Sequence, residues 1–194
     1  MKKIVFATHN DDKAKELKEI LSEYEILTLK DIDFPGEIEE NGETIEENAL
    51  IKARAAYEFS GMTSVADDTG LFVDALGGRP GVYSSRYSGG GYEDNVNKLL
   101  GELEGVPSEK RGASFRCSAA MVSARGEASV TAEVPGTITD KSSGTGGFGY
   151  DPVFRESSTG LTYAEMDAEE KNSLSHRKKA FEMLKSYIEK DEGK

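Results

Sequence analysis

The sequence is short of the residues from which many well-known sites are built. It has one cysteine and two histidines among 194 residues, which excludes a disulfide framework within the chain and a zinc site of the usual Cys/His type. The lone cysteine, Cys117, lies in an apolar-rich run from Ala113 to Val122, so we expect a buried structural thiol rather than a nucleophile. A single cysteine also suits a reducing compartment, and we expect the chain in the cytoplasm.

Long apolar runs and an excess of positive charge are absent as well. No stretch approaches the roughly 20 apolar residues of a membrane span. The apolar run Ile4–Ala7 near the N-terminus is too short for a signal peptide and fits a first strand. Basic residues number 24 against 36 acidic ones, a net charge of −12, and such a surface repels a nucleic-acid backbone. We therefore expect neither a membrane nor a nucleic-acid polymer as a partner.

The apolar periodicity predicts alternating strands and helices in a single domain over residues 1–194. Strands are predicted at Lys3–Ala7, Tyr24–Leu29, Met62–Ala66, Leu71–Leu76, Ser114–Ser123 and Ala128–Val134, the last two as an antiparallel pair. Helices are predicted at Asp11–Leu21, Thr44–Phe59, Glu93–Leu103 and Ser175–Lys190. This mixture indicates an α/β protein with a curved central sheet.

Two adjacent carboxylates, Asp67 and Asp68, follow one of these apolar runs in the segment Ala66-Asp67-Asp68-Thr69-Gly70. We expect them at a strand tip, with Gly70 allowing a sharp turn. Because side chains alternate along extended backbone, the two carboxylates should point to opposite sides. One of them can then bind a hard cation or accept a proton from water. A solvated acidic turn is the alternative.

The segment Ala7–Lys13 joins the first strand to the first helix. Backbone N–H groups at the helix N-terminus, with the side chains of Thr8, Asn10 and Lys13, make a phosphate cradle. The segment lacks the glycines and the Lys-Ser/Thr ending of a P-loop. The alternative is ordinary capping of the helix by Asn10 or Asp11.

Two further segments have the composition of a ligand site. The loop Gly144–Pro152 interleaves four glycines with Phe148 and Tyr150, so the backbone can approach a ligand while one ring stacks on a flat base. Near the last helix, basic residues cluster at Lys171-Asn172 and Ser175-His176-Arg177. Positive charge at the start of a helix opposes the helix dipole and suggests a partner anion. A mobile glycine loop and a solvated basic patch are the respective alternatives.

Taken in order, these segments resemble the non-canonical purine nucleoside triphosphate pyrophosphatases, the inosine triphosphate pyrophosphatase family. The resemblance covers Ala7-Thr8-His9-Asn10, Glu47-Asn48-Ala49, the Asp67-Asp68 segment, Leu76–Tyr87, Gly144–Pro152 and Ser175-His176-Arg177. Thr69 stands where many members have serine, and the hydroxyl is kept. The resemblance implies an elongated α/β fold with a mixed, curved sheet flanked by helices. It also implies two lobes around a central nucleotide-binding cleft, and a homodimer.

The resemblance implies roles for individual residues. Asp68 would be the general base and a metal ligand, with a second carboxylate to Mg²⁺ from Glu39 or Glu40, of which we favour Glu39; Mn²⁺ is a possible substitute. The residues that would contact the triphosphate are Thr8, His9, Asn10 and Lys13, and Lys52 on the long helix could reach the phosphates too. Asp11 and Asp12 are also expected among the substrate-binding residues. Those that would touch or hold the rest of the substrate are Thr69, Phe148, Gly149, Tyr150, Asp151, Lys171, His176 and Arg177.

The activity implied is hydrolysis of ITP, dITP and XTP to the monophosphate and pyrophosphate, which removes these nucleotides from the cellular pool. Weak activity on GTP and ATP is expected, and attack on the α or the β phosphorus gives the same products. Two other interpretations are a pyrophosphatase for pyrimidine or modified nucleotides and a non-catalytic nucleotide sensor. The Ser-His-Arg cluster argues against the first, and the intact pair of aspartates against the second.

Overall fold

The computed structural model describes residues 1–191 and residue 193. The strands are β1 (Lys2–Phe6), β2 (Tyr24–Thr28), β3 (Ser64–Val73), β4 (Pro80–Gly81), β5 (Gly112–Ser123), β6 (Gly126–Ile138) and β7 (Phe154–Glu156). The helices are α1 (Asp11–Ile20), α2 (Ile45–Ser60), α3 (Tyr92–Glu102), α4 (Ala168–Leu174) and α5 (His176–Asp191). Within this part of the chain, no helix is both long and apolar enough to cross a membrane.

The strands form one mixed sheet of seven, in the order β2-β1-β3-β5-β6-β7, with β4 paired to β3. Strand β1 is parallel to both β2 and β3, whereas the β3–β4 and β6–β7 pairs are antiparallel. The neighbours β5 and β6 are joined by a two-residue turn at 124–125, a connection that only an antiparallel pair can make. The expected α/β class with a mixed sheet and helices is therefore confirmed.

The two aspartates lie inside a strand and not at its tip. Strand β3 runs without interruption through Asp67, Asp68 and Gly70, so the sharp turn expected at Gly70 is wrong. The glycine is needed for close packing instead, because a Cβ atom there would lie 2.6 Å from the carbonyl oxygen of Gly81 on β4. The two short strands predicted on either side of this segment are thus parts of one strand. That strand ends at Val73, and Asp74–Leu76 form a 3₁₀-helix instead of the strand predicted there.

Local capping explains where the first two long helices begin. The Asn10 side chain accepts from the backbone N–H of Lys13 at the start of α1. At the start of α2, the Thr44 hydroxyl accepts from the N–H of Glu47. The Glu47 carboxylate accepts in return from the N–H of Glu43, at 2.7 Å. Both starts agree with the predicted ones, whereas α4 and β7 lie in segments where no element was predicted.

The chain divides into two compact units. Unit 1 comprises Met1–Asp68, Cys117–Ala132 and the segment from Arg177, and unit 2 comprises Thr69–Arg116 and Glu133–His176. Unit 2 has one apolar core, in which the ring of Phe115 packs against Phe154 and Tyr163 at centroid distances of 4.6 and 5.8 Å.

Unit 1 has an apolar cluster on each face of its part of the sheet. Phe6 and Val65 contribute to the cluster that contains residues of α1 and α5. Their chain neighbours Val5 and Ala66 contribute to the other cluster, which contains residues of α2. Because successive side chains of a strand alternate between faces, Asp67 follows Val65 towards α1 and α5, and Asp68 follows Ala66 towards α2.

Candidate active site

Asp67 is a buried carboxylate held by two cations. Its Oδ2 lies 3.1 Å from Nζ of Lys13 on α1 and accepts from Nη2 and Nε of Arg177 on α5, at 3.2 and 3.3 Å. Burial alone would raise the pKa of Asp67, but Lys13, Arg177 and Lys52 outweigh it and hold that pKa well below its usual range. Asp67 is therefore charged at any physiological pH and joins α1, β3 and α5.

Arg177 forms the other half of this network. It is 2% exposed, and its Nη1 also binds a carboxylate oxygen of Glu16 on α1. Burial alone would lower the pKa of the guanidinium, but Asp67 and Glu16 outweigh it and raise that pKa. The solvated basic patch considered for this segment does not form, because Lys171, His176 and Arg177 are all buried.

Asp68 occupies a different environment on the opposite face of β3. The Asn48 side chain donates from Nδ2 to Oδ2 of Asp68 at 3.1 Å, and Nζ of Lys52 lies 3.5 Å from Oδ1. Burial raises the pKa of Asp68 above its ordinary value, and Lys52 and Lys13 offset this only in part. A carboxyl group with a raised pKa is a better proton acceptor, so the environment suits a general base.

The Lys52 ammonium lies between two carboxylates. It is 2.8 Å from Oε2 of Glu40 and 3.5 Å from Oδ1 of Asp68. Burial alone would lower the pKa of Lys52, but these two carboxylates and Asp67 outweigh it and raise that pKa. Glu40 is half-buried, whereas Glu39 is exposed. Asp68 and Glu40 thus place carboxylate oxygen atoms around a position that the Lys52 ammonium occupies. Such oxygen atoms are the donors that Mg²⁺ prefers.

No group of three or more histidine, cysteine, aspartate or glutamate side chains that could hold a metal ion occurs in residues 1–191 or 193. Asp68 and Glu40 are the two carboxylates beside Lys52 that could donate oxygen atoms to a divalent cation. A site of that kind suits Mg²⁺, which keeps several water ligands and needs only one or two carboxylates together with substrate phosphates.

The segment between β1 and α1 has the geometry of a helix N-terminus that could receive an anion. The Thr8 hydroxyl accepts from the N–H of Asn10 at 3.1 Å, and Asn10 caps the helix. The His9 side chain is exposed and its Nε2 lies 3.0 Å from the carbonyl oxygen of Gly36. The side chains of Asp11 and Asp12 are exposed. The arrangement as a whole is compatible with both interpretations, capping of the helix and a phosphate cradle.

In unit 2, the glycine-aromatic loop is organised by the Asp151 carboxylate. Its Oδ2 accepts from the N–H of Phe148 at 2.8 Å and lies 2.9 Å from Nζ of Lys171. That ammonium also lies 4.5 Å from the centroid of the Phe148 ring. The ring is half-buried and packs 6.0 Å from Tyr92 of α3. Asp151, Lys171 and Phe148 are thus brought together as one cluster.

The other unit 2 residues named from the sequence lie outside this cluster of contacts. Tyr150 is buried and its hydroxyl donates to the carbonyl oxygen of Ser84 at 2.8 Å. His176 is also buried and stacks on Phe115 at 4.7 Å. Gly149 adopts a positive φ of 63°, and Thr69 is half-buried in β3.

Sequence reasoning gave no role to Glu16 or Asn48, which contact the two networks directly. A signal for Asn48 was present, because Asn48 and Lys52 are four residues apart on a helix and therefore share a face. That face is otherwise lined by small apolar residues such as Ala49 and Ala53. A polar residue among them is informative, because buried polar groups need partners. The partner of Glu16 is distant in sequence and left no such signal.

The buried network around Asp67 generates a stability prediction. Asp67→Asn leaves the buried Arg177 without its full charge partner, so we expect a loss of about 3–5 kcal/mol in the free energy of unfolding at pH 7. The folded pKa of Asp67 is depressed, so its contribution is present above the unfolded pKa of about 3.9 and lost as pH falls below it. The stability difference from wild type should therefore narrow below about pH 4.

Urea unfolding at several pH values measures both effects. Glu127→Gln is the matched control because it breaks the exposed Arg54–Glu127 pair and should cost less than about 1 kcal/mol. Equal small losses in the two variants would contradict the account of Asp67.

Comparison with known proteins places these features in a family. The model of the Ham1 family matches residues 4–187. A protein of Geobacter sulfurreducens named dITP/XTP pyrophosphatase is 49% identical over 97% of both chains, and one of Bacillus subtilis with the same name is 47% identical over 97% of this chain and 98% of its own.

Solved structures agree with this assignment. The Ham1 protein of Staphylococcus aureus superposes with a TM-score of 0.87 at 36% identity, covering 98% of this chain and all of the other. A nucleoside-triphosphatase (dITP/XTP pyrophosphatase) of Mycobacterium abscessus superposes with a TM-score of 0.76 at 41% identity, covering 94% of this chain and 98% of the other. The family expected from the motifs is confirmed: this chain belongs to the Ham1 family.

Proposed function

We propose that this protein is a nucleoside triphosphate pyrophosphatase that hydrolyses dITP, ITP and XTP to the monophosphate and pyrophosphate. The observation that carries the proposal is the placement of two neighbouring carboxylates in different surroundings, with Asp67 held by Lys13 and Arg177 and Asp68 contacted by Asn48 and Lys52. The directions of their pKa shifts, lowered at Asp67 and raised at Asp68, agree with this placement. Such a separation assigns one carboxylate to a fixed charge and the other to proton transfer. The names of the relatives supply the substrate class.

In the proposed reaction, Asp68 accepts a proton from a water molecule as the water oxygen forms a bond to phosphorus. The bond between that phosphorus and the bridging oxygen breaks, and its electron pair leaves with the departing phosphate group. The proton stays on the Asp68 carboxyl until it returns to solvent. Proton transfer of this kind typically contributes about 10²–10⁴-fold to the rate.

The triphosphate needs positive charge around it before an oxygen nucleophile can approach. Lys13 and Lys52 supply it from α1 and α2, and each is already fixed by a carboxylate. The N-terminus of α1 adds backbone N–H groups. A lysine anchored in this way loses less side-chain entropy when it binds an anion than a lysine that moves freely in solvent.

Mg²⁺ is the proposed cofactor, held by Asp68 and Glu40, with Mn²⁺ as a substitute. Glu40 replaces the initially favoured Glu39 in this proposal because Glu40 shares Lys52 with Asp68, whereas Glu39 is exposed. When bound, the cation would supply charge neutralisation to the phosphates and to the pyrophosphate leaving group.

Selectivity for the base is proposed to come from the cluster of Phe148, Asp151 and Lys171. The half-buried ring of Phe148 can stack on a purine, and Lys171 can donate to a 6-oxo group. A 6-amino group in the same place offers the Lys171 ammonium no acceptor and turns its own N–H donors towards it, which discriminates against adenine. Tyr150 is assigned to support of the loop because its hydroxyl already donates to Ser84.

The setting of the enzyme is also a proposal. The single cysteine is buried and unbridged, which suits the reducing cytoplasm where nucleotide pools reside. The net charge of −12 favours free nucleotides over nucleic-acid polymers as partners. The family resemblance further supports a homodimer.

Pyrophosphate release measured with a panel of nucleoside triphosphates tests the proposed function. With Mg²⁺ present, pyrophosphate release should be fastest with dITP, ITP and XTP, weak with GTP and ATP, and weakest with pyrimidine nucleotides. Asp68→Asn is the control for a contaminating activity, and it should reduce turnover by at least about 10²-fold while the fold is kept. Preference for ATP or CTP would overturn the proposed substrate class, and binding without release in a single-turnover assay would indicate a sensor.

The two adjacent glutamates form a matched pair for testing the metal site. Glu40→Gln should raise the Mg²⁺ concentration for half-maximal activity by about tenfold or more, because a carboxylate ligand is lost. Glu39→Gln, at the exposed neighbour, should leave that concentration within about twofold of wild type. Calorimetric titration of each variant with Mn²⁺ gives the same comparison without turnover. The reverse ranking would restore Glu39 as the ligand.

A further inference from the structure

The Asn48 side chain is a buried carboxamide with a partner at each end. It is fully buried in the first turn of α2. Its Oδ1 accepts from the backbone N–H of Gly42 at 2.8 Å, and its Nδ2 donates to Oδ2 of Asp68 at 3.1 Å. The orientation of the amide follows from the chemistry, because an N–H can only donate and a carboxylate can only accept.

The position is otherwise one for an apolar residue. The buried residues of α2 around Asn48 are Ile45, Ala49 and Ala53, and a carboxamide among them costs free energy unless it is hydrogen-bonded. Gly42 allows the close approach, since a Cβ atom at that residue would lie 2.7 Å from Oδ1 of Asn48. The contact between Gly42 and Asn48 therefore needs a glycine at the first position and a side-chain acceptor oxygen at the second.

Asn48 and Lys52 fix the Asp68 carboxylate from one helix. Asn48 reaches Oδ2 and Lys52 reaches Oδ1, and the two residues lie one turn apart on the same face of α2. With a partner on each oxygen, the carboxylate cannot rotate without losing a contact. The same two side chains also bind the preceding loop, Asn48 at Gly42 and Lys52 at Glu40.

We infer that Asn48 is a positioning residue for the general base. It sets the rotation of the Asp68 carboxylate and ties it to the loop that carries Glu40. The inference rests on the proposed function, in which Asp68 accepts the proton. Proton transfer requires the accepting oxygen within hydrogen-bond reach of the water, so a rotated carboxylate should lower kcat more than it changes KM.

Two substitutions separate this role from simple tethering of the loop. Asn48→Asp keeps the oxygen that accepts from Gly42 but loses the donor to Asp68. Asn48→Leu loses both and adds no charge. We expect kcat for dITP to fall about 10–100-fold in both variants, with KM changed by less than about threefold. Hydrogen exchange of the Gly42 amide should stay slow in Asn48→Asp and become faster in Asn48→Leu.

A matched control is available in unit 2. Asn95 is also a buried asparagine, 2% exposed, which accepts from the N–H of Ser88 and donates to the carbonyl oxygen of Ser85. Asn95→Asp and Asn95→Leu introduce the same chemical changes away from Asp68. They should lower the free energy of unfolding while kcat stays within about threefold of wild type.

The outcomes are distinct. If kcat of Asn48→Asp is close to that of wild type, Asn48 only tethers the loop. If kcat falls in Asn48→Asp but not in Asn48→Leu, the added charge causes the effect. Either result overturns the inference. Should Asn48→Leu fail to fold, Asn48→Ala replaces it with a smaller apolar side chain. Wild-type protein that releases no pyrophosphate from dITP contradicts the proposed function, whereas active wild type with equally active variants contradicts the positioning role alone.

Discussion

The charge network centred on Asp67 is the constraint on which unit 1 depends. A carboxylate buried in a strand is costly unless cations and hydrogen bonds compensate it. Here the compensation comes from Lys13 on α1 and Arg177 on α5, with Glu16 balancing the second cation. The two carboxylates, Asp67 and Glu16, balance the charges of the two cations, Lys13 and Arg177. Their ion pairs fix α1 and α5 on one face of β3. The apolar cluster formed by residues such as Phe6, Leu17 and Phe181 surrounds the same helices.

The consequence for function is an asymmetry between neighbouring residues. Because a strand alternates its side chains, the network holds Asp67 on one face and leaves Asp68 on the other. Asp68 contacts one ammonium and one neutral amide, so burial prevails and its pKa rises. In the proposed reaction, Asp67 supplies a permanent charge and Asp68 the proton acceptor, although their intrinsic pKa values are the same. Neither would suit its role in the position of the other.

The sequence was most informative where a signal is local. Apolar periodicity located β1, α1, α3 and α5, and the helix predicted from Thr44 begins where α2 does, directly after the Thr44 cap. The turn at Gly70 was wrong because a glycine in a strand can serve the close approach of a neighbouring strand, in this case β4. That neighbour comprises only Pro80–Gly81, a strand too short to leave a pattern in the sequence.

In the candidate site, too, features that depend on neighbouring residues were predicted from the sequence, and contacts between distant residues were not. Adjacent aspartates and their opposite faces follow from the sequence. The identity of their partners does not, because Arg177 lies 110 residues from Asp67, and the polar position of Asn48 on α2 does not reveal that its partner is Asp68, 20 residues away. The choice between Glu39 and Glu40 likewise depends on which of the two reaches Lys52. Such choices depend on tertiary contacts between long, flexible side chains, for which neighbouring residues along the chain carry no signal.

The most direct test of the account is the titration of the two aspartate carboxyl carbons by ¹³C NMR, in protein without a divalent cation. We predict that the Asp67 resonance remains that of a carboxylate through the range around pH 3.9 in which ordinary aspartates are half protonated, whereas the Asp68 resonance titrates above that range. Ordinary pKa values at both residues, or a higher pKa at Asp67 than at Asp68, would contradict the division of roles between them.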